Sequence, residues 1–328
     1  MKRASSMTTD HPRRRAVLLA AASALTATTR AATAATPAAS PTAATPAGGA
    51  SAAPLLQRRI PATGESIPAV GLGTWITFNA GRDAVLRAGA VAVMRAFFDG
   101  GGRVVDSSPM YGSAQEIVGH GLAALARGST VFAAEKVWTG SGSAGPAQIE
   151  TTRRFWGLPK LDLIQIHNLL AWEAHLPTLQ AMKADGRLRL IGITTSHGRR
   201  HAELERILQT QRIDSVQLTY NLLDREAEQR LLPLAQERGI AVIVNRPFQE
   251  GALLRTLARH PLPPFAAALG CDGWAQLALK FVLSHPAVTC VIPATTQVAH
   301  VRQNLAAAAG PLPDAALRQR IAAHVAAL

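Results

Sequence analysis

Asp106, Tyr111, Lys136 and His167 are the residues of this chain whose types and placement can do chemistry together. Asp106 closes the run RVVDSS, and Tyr111 follows it in the loop PMYG. Lys136 closes TVFAAEKV, and His167 closes LDLIQIHN. A phenol in a dry pocket can donate a proton to a carbonyl oxygen as that oxygen gains negative charge. Its intrinsic acidity is too weak for this at neutral pH, and a nearby ammonium helps by favouring the phenolate. Lys136 can supply that charge, and Asp106 is the natural partner for a buried ammonium. His167 can hydrogen-bond the same carbonyl oxygen and orient it. The lysine is informative because the chain has only five and otherwise uses Arg, which suggests a need for a compact charge. Taken singly, Asp106 could be a turn cap, Tyr111 a packed ring, Lys136 a strand-end charge and His167 a satisfied strand-end histidine. Their joint arrival at successive strand ends favours an enzyme.

The elements that must position these groups are short runs rich in Val and Ile at 69–74, 103–107, 130–137, 161–168, 188–195, 215–221, 240–247 and 288–294. Such runs read as buried parallel strands. Helical patterns lie between them. Asp83 is expected to cap one helix and Ser113 to open the next. Pro146 suits the first turn of a third, and Asp224 precedes a pattern ending at Gly239. More than one helix is expected in 251–285, with the last two in 297–308 and 314–327. Residues 57–60 and 66–67 flank PATGE and suit a small hairpin. Eight βα units over about 270 residues predict an α/β fold, a (β/α)8 TIM barrel with an N-terminal hairpin and extra C-terminal helices. Its strand C-termini would converge on one rim. A doubly wound sheet would want Gly-x-Gly-x-x-Gly after its first strand; Gly71-Leu72-Gly73 lacks the third glycine.

The chain has 328 residues, 48% hydrophobic and 17% charged, with a formal net charge of +13. Residues 1–34 hold six basic residues and one acid, leaving a body of +8. The body has no basic run interleaved with aromatics, so nucleic-acid binding is not expected. Residues 1–34 read as an export signal: HPRRRAVLL precedes an apolar stretch at 16–28, and Ala32-Thr33-Ala34 is an A-x-A-like cleavage site. Arg14-Arg15 resembles a twin-arginine signal. That predicts contact with export machinery and a periplasmic or secreted protein; a basic disordered tail would leave it cytoplasmic. The apolar stretch has 13 residues, short of the ~20 of a membrane-spanning helix, so no stable membrane insertion is expected. Residues 35–54 carry Ala, Pro, Thr, Ser and Gly without charge and read as a disordered linker. The folded domain is expected over 55–328, as a monomer. Cys271 and Cys290 are expected as free thiols in apolar surroundings.

The order and spacing of these motifs resemble the aldo-keto reductase family. Asp106 to Gly112 resembles its Asp-x-x-x-x-Tyr-Gly segment, and Lys136 and His167 follow at family-like intervals of 25 and 31 residues. Gly71-Leu72-Gly73-Thr74 resembles the first barrel strand, Ile191-Gly192-Ile193 the fifth and Val216-Gln217-Leu218 the sixth. Ile292-Pro293-Ala294-Thr295 with Asn304 resembles the eighth strand and the helix that clamps the cofactor. The resemblance spans about residues 58–310. It implies hydride transfer between a nicotinamide cofactor, NADP favoured and NAD possible, and a small carbonyl or alcohol. Tyr111 would be the general acid, tuned by Lys136 and Asp106, and His167 would orient the carbonyl. The cofactor would be held by Gly73, Thr74, Thr194, Gln217, Asn245, Arg246, Pro247, Thr295, Thr296, His300, Arg302 and Asn304. Gln217 would bind the carboxamide and Asn304 the adenine.

Three positions depart from the family pattern. Thr194-Thr195 replaces Ser-Asn, so one amide contact is lost or replaced. Asn245-Arg246-Pro247-Phe248 replaces the frequent Tyr-Ser-Pro-Leu; Arg246 would reach the pyrophosphate or cover the ring in place of the Tyr. Ala294 and His300 stand where basic residues often grip the 2′-phosphate, a loss Arg302 could offset.

Trp75, Trp138 and Trp172 are expected to form apolar pocket walls, and GSGSAG at 140–145 to shape the same pocket. His197 and His201 are four apart, but without a third ligand they do not make a metal site. Two other functions use the same residues. One is a Schiff-base lyase with Lys136 as nucleophile; the other is a non-catalytic subunit that binds or senses the cofactor.

Overall fold

The structure, a computed structural model, describes residues 54–328. The expected export signal (1–34) and all but the last residue of the expected linker (35–54) lie outside the described residues. The described chain opens with an antiparallel hairpin, β1 (Gln57–Arg59) and β2 (Ser66–Pro68), with Arg58 opposite Ile67. Eight parallel strands follow: β3 (Leu72–Gly73), β4 (Val104–Asp106), β5 (Phe132–Val137), β6 (Leu161–Ile166), β7 (Leu188–Thr194), β8 (Ser215–Thr219), β9 (Ala241–Asn245) and β10 (Val288–Val291). They pair in sequence order. Bridges from Val70 to Val291 and from Gly73 to Ala294 join the two edges of the sheet. The Gly71 N–H donates to Val291 C=O at 2.8 Å, and the Val291 N–H donates back to Ala69 C=O at 2.9 Å. The expected (β/α)8 barrel is therefore the fold. Its first strand is shorter than expected because just Leu72 and Gly73 pair with β4, while Ala69 to Gly71 bond to the last strand and, through the Ala69 N–H, to Leu56.

Helices cover the outside: α1 (Ala84–Asp99), α2 (Ala114–Leu125), α3 (Gly145–Trp156), α4 (Trp172–Ala184), α5 (His201–Thr210), α6 (Leu231–Glu237), α7 (Ala252–Leu257), α8 (Phe265–Ala268), α9 (Trp274–Leu283), α10 (Val298–Ala306) and α11 (Ala315–Ala326). Asp83 caps α1 as expected, its carboxylate accepting from the N–H groups of Val85 and Leu86. Pro146 sits in the first turn of α3, where its missing N–H costs nothing. Ser113 opens α2 as expected, but neither its side chain nor that of Asp224 caps a helix. Ser113 precedes α2, but its hydroxyl accepts from Gly81 N–H and donates to Asn79 Oδ1, fastening the loop after β3 to the loop after β4. Asp224 caps nothing; its carboxylate accepts from Asn221 Nδ2 and Gln249 Nε2. The continuous helix expected after it is broken into a turn at Glu226–Glu228 and then α6. Pro233 explains the break, since deep in a longer helix it would leave a carbonyl without its donor. Among the described residues no helix is long and apolar enough to cross a membrane.

Side chains alternate between the two faces of each strand, and this alternation makes two cores. Val104, Phe132, Ala134, Leu163, Leu190, Ala241, Ile243, Cys290 and Ile292 fill the barrel interior. Ile60 and Ile67 of the hairpin belong to the same cluster, so the hairpin plugs one end. The other set of strand residues, including Val105, Ala133, Ile164, Ile191 and Val242, packs against the helices with Met94, Phe97 and Trp156. Each large side chain fully buried this way stabilises the fold by about 1.5–3 kcal/mol. A close helix contact occurs at Gly119 of α2, where an added Cβ would stand 1.7 Å from the backbone oxygen of Phe155 at the end of α3. Gly119→Ala should therefore push these helices apart and lower stability by about 2–3 kcal/mol. Urea unfolding of the variant, with an unchanged slope and a lower midpoint, is the expected result; an unchanged midpoint would contradict it.

Candidate active site

The rim opposite the hairpin carries a polar layer on the same inward face that lower down is apolar. Asp106 ends β4, Lys136 is the penultimate residue of β5, and Gln165 and Gln217 lie on β6 and β8. All four are buried. Parallel registry sets Lys136 beside Gln165 and Thr194 beside Gln217.

Lys136 Nζ donates to Asp106 Oδ1 at 2.5 Å and to Ser107 C=O at 2.7 Å. An ammonium has three N–H groups, so a third is left for the phenol, whose ring centroid is 5.2 Å from Nζ. The other carboxylate oxygen, Oδ2, accepts from Gln165 Nε2 at 3.0 Å and Gln217 Nε2 at 2.9 Å. Burial works against the charged lysine, but Asp106 and then Tyr111 outweigh it and hold the ammonium above its ordinary value. Burial raises the Tyr111 phenol while Lys136 pulls it down, and the net shift is upward. Tyr111 is thus protonated at neutral pH and has a proton to give.

The loop after β4 holds Tyr111 in place. Its N–H donates to Ser108 C=O at 3.0 Å. Gly112 follows with φ +62°, and a Cβ there would collide with Asn79 Oδ1 at 2.4 Å. Trp75 lies against the phenol with ring centroids 4.9 Å apart, and His167 meets it edge-on at 5.7 Å. His167 is buried, and its Nδ1 is 2.8 Å from Ser108 Oγ. Burial, then the Lys136 charge, depresses its pKa to about 3. The imidazole is neutral and offers one N–H.

Glu135, beside Lys136 in sequence, faces the helices rather than the barrel. Gln115 of α2 and Trp156 of α3 each donate to its Oε1 at 3.0 Å, and the Lys136 N–H donates to Oε2 at 2.9 Å. Burial lifts its pKa to about 7, against the pull of Lys136. Nothing in its sequence context separates this acid from an exposed one except its place next to Lys136 in an otherwise apolar run.

Tyr111, His167, Asp106 and Gln217 line a cavity of about 590 Å³ that extends toward α10. Gly73, Thr74, Trp75, Thr194, Asn245, Arg246, Pro247, Thr295, His300 and Asn304 line it too. Lys136 stands behind this wall, reaching the cavity through Asp106 and Tyr111. Thr295 Oγ1 caps the Gln297 N–H and lies 3.2 Å from His300 Nδ1. Asn245 Nδ2 donates to Thr195 C=O and toward Gln217 Oε1. One end thus offers proton donors and the other a buried Asn, hydroxyls and a helix N-terminus suited to anions. These residues fit a dinucleotide, and the volume lies within the range of small-molecule pockets, about 300–1,000 Å³.

Several expected residues lie elsewhere. Thr296 and Arg302 are exposed and do not line the cavity; Arg302 points away because it follows His300 by two on a helix. Trp172 is buried under α5, donating to Glu203 with the Arg206 guanidinium over its ring. Trp138 is also outside the cavity; its backbone N–H donates to Gln148 Oε1. Residues 140–145 do not shape the pocket, since Gly142 and Gly145 pack against Ala174 and His175 of α4. The Arg246 guanidinium pairs with Glu250. His197 lines the cavity, with its N–H on Thr219 Oγ1, while His201 pairs with Glu226. Ile76, Met110, Asn168 and Phe248 line the cavity from irregular segments with no periodic signal, and Leu254 does so from the short helix α7; the sequence did not mark them as pocket residues.

Glu135 and His167 oppose each other in acid. Between about pH 4.5 and 6.5 the folded chain keeps a proton on Glu135 that the unfolded chain has lost, and lacks one on His167 that the unfolded chain has gained. Stability falls with rising pH through the first and rises through the second, so the two slopes cancel. Glu135→Gln leaves only the second. Relative to the parent, its stability should drop by about 1–2 kcal/mol on going from pH 6.5 to 5. Urea midpoints at the two pH values test this, and parallel behaviour of the two proteins would refute it.

Residues 69–324 match the Aldo/keto reductase family. The chain is 31% identical over 258 residues to methylglyoxal reductase YeaE of Escherichia coli K12, covering 76% of this chain and 89% of that protein. It is 26% identical to the NADH-specific methylglyoxal reductase of the same organism, covering 79% and 95%. The crystal structure of an aldo/keto reductase from Klebsiella pneumoniae in complex with NADP and acetate superimposes with a TM-score of 0.70 at 26% identity, covering 83% of this chain and 96% of that one. With Asp106, Tyr111, Lys136 and His167 gathered at one barrel rim, the chain belongs to the aldo/keto reductase family.

Proposed function

We propose that this protein reduces an aldehyde or ketone with NADPH, and oxidises the alcohol in reverse. The observation that carries this is the convergence of the Asp106–Lys136 pair, Tyr111 and His167 at the inner end of one cavity. The reduced nicotinamide supplies hydride to the carbonyl carbon. As the oxygen becomes an alkoxide, Tyr111 gives it a proton, and Lys136 stabilises the phenolate left behind. His167 donates a hydrogen bond to the same oxygen. Trp75 and Met110 supply apolar wall. Gln217 and Asn245 would hold the carboxamide, and Thr295, His300 and Asn304 the adenosine end.

NADPH is the favoured reductant and NADH a second one. Among the described residues His300 lines the cavity from α10 together with Asn304, whereas Ala294 is apolar and Arg302 lies outside the lining. Both Escherichia coli relatives are named for methylglyoxal, which makes it the first substrate to assay. Lys136 is poorly placed as a Schiff-base nucleophile, because it is held charged by Asp106. Tyr111→Phe should lower kcat for methylglyoxal about 10²–10⁴-fold and leave NADPH affinity, measured by calorimetry, unchanged. Full activity in that variant would overturn the assignment.

We further infer that residues 1–34 direct export, on the strength of Arg14-Arg15 ahead of the apolar stretch 16–28. Fractionation of cells should find the parent outside the cytoplasm and an Arg14→Lys, Arg15→Lys double variant inside it. Both proteins in the cytoplasm would overturn the export inference and leave the enzyme there.

A further inference from the structure

His167 can give a hydrogen bond to a substrate oxygen only from Nε2, and which ring nitrogen carries the proton depends on the partner of the other. That partner is Ser108, two residues beyond Asp106 and fully buried. Its Oγ is 2.8 Å from His167 Nδ1 and accepts the Met110 N–H at 3.1 Å. A serine hydroxyl has one proton to give. Its second neighbour, the Met110 N–H, is itself a donor, so among the described residues Nδ1 is the acceptor in reach. A buried O–H without an acceptor is costly, which directs the hydroxyl proton to Nδ1 and leaves Nδ1 bare. The reverse arrangement would strand that proton and turn a bare Nε2 lone pair toward the lone pairs of a carbonyl oxygen.

We propose that Ser108 is a positioning residue: it fixes His167 as an Nε2–H donor and ties the imidazole to the loop that carries Tyr111. The loop connection is direct, because the Ser108 C=O also accepts the Tyr111 N–H. One hydroxyl and one carbonyl of the same residue thus set the two donors that meet a single carbonyl oxygen. Neutrality of the imidazole, which burial and Lys136 enforce, means that only one nitrogen bears a proton. In turnover that proton stays on His167, and the proton transferred is the phenol's. The proposal rests on the carbonyl reductase assignment for its consequence in catalysis, but not for the tautomer.

The test is a long-range ¹H–¹⁵N spectrum of the full chain labelled with ¹⁵N-histidine, with His167 assigned by the signal lost in His167→Asn. The parent at pH 7 should show His167 in the Nε2–H form alone. Ser108→Ala should admit a clear Nδ1–H population and lower kcat for methylglyoxal about tenfold, with NADPH affinity unchanged. Ser108→Thr, which keeps the hydroxyl, should restore both. An Nδ1–H form in the parent, an unaltered tautomer in Ser108→Ala, or no rescue by Ser108→Thr would each overturn the proposal. If Ser108→Ala does not fold, the parent spectrum and Ser108→Thr still decide. The spectra need no turnover, so expected tautomers in a protein inactive on every carbonyl would count against the reductase assignment and not against Ser108.

Discussion

The buried pair of Lys136 and Asp106 is the constraint on which the rest of the site depends. Two charges removed from water cost several kcal/mol each, and their attraction offsets this only when the remaining lone pairs and protons are satisfied. Here the surplus acceptor capacity of the carboxylate is taken by Gln165 and Gln217, and a second lysine proton by the Ser107 carbonyl. These partners come from β6, β8 and the residue just after β4. The pair is therefore stable only if several strands keep their register, since a slip of one residue would turn each of these side chains to the opposite face. The same geometry that satisfies the charges brings the ammonium next to Tyr111.

Strand β5 shows how one segment serves two layers. Lys136 points into the barrel and Glu135 out of it, so adjacent residues place an ammonium and a carboxyl group on opposite sides of one sheet. Glu135 is met by Gln115 and by the Trp156 indole, and Trp156 reaches it because Gly119 lets the end of α3 lie against α2. Helix packing thus has an electrostatic consequence at the active site. Lys136 is anchored from behind through its own backbone N–H, as well as from the front through its ammonium.

Much of this was legible in the sequence, for reasons that differ between residues. The barrel could be read because buried parallel strands are apolar runs separated by helix signals, and the runs ending in Asp106, Lys136 and His167 were each long enough to recognise. Loops were harder. Trp138 and Trp172 stand near the ends of inward-leading strands, yet Trp138 lies outside the cavity and the Trp172 indole donates to Glu203, which spacing does not reveal. Ser113 and Asp224 stand at helix-start signals, but their side chains bond to neighbouring loops. Arg302 was set against His300 by distance along the chain, whereas a helix rotates them onto different faces. Ser108 and Glu135 carried no motif; only the folded contacts single them out.

Cys290 is packed inside the barrel among Val104, Leu190 and Ile243, and Cys271 is buried under the outer helices. Both are free, and burial raises both thiols, so little thiolate forms and little is offered to oxidants. Nothing in the described fold is cross-linked, and its two thiols are shielded from disulfide exchange. The folded barrel is accordingly blind to redox potential: a reducing cytosol and an oxidising envelope should find the same molecule.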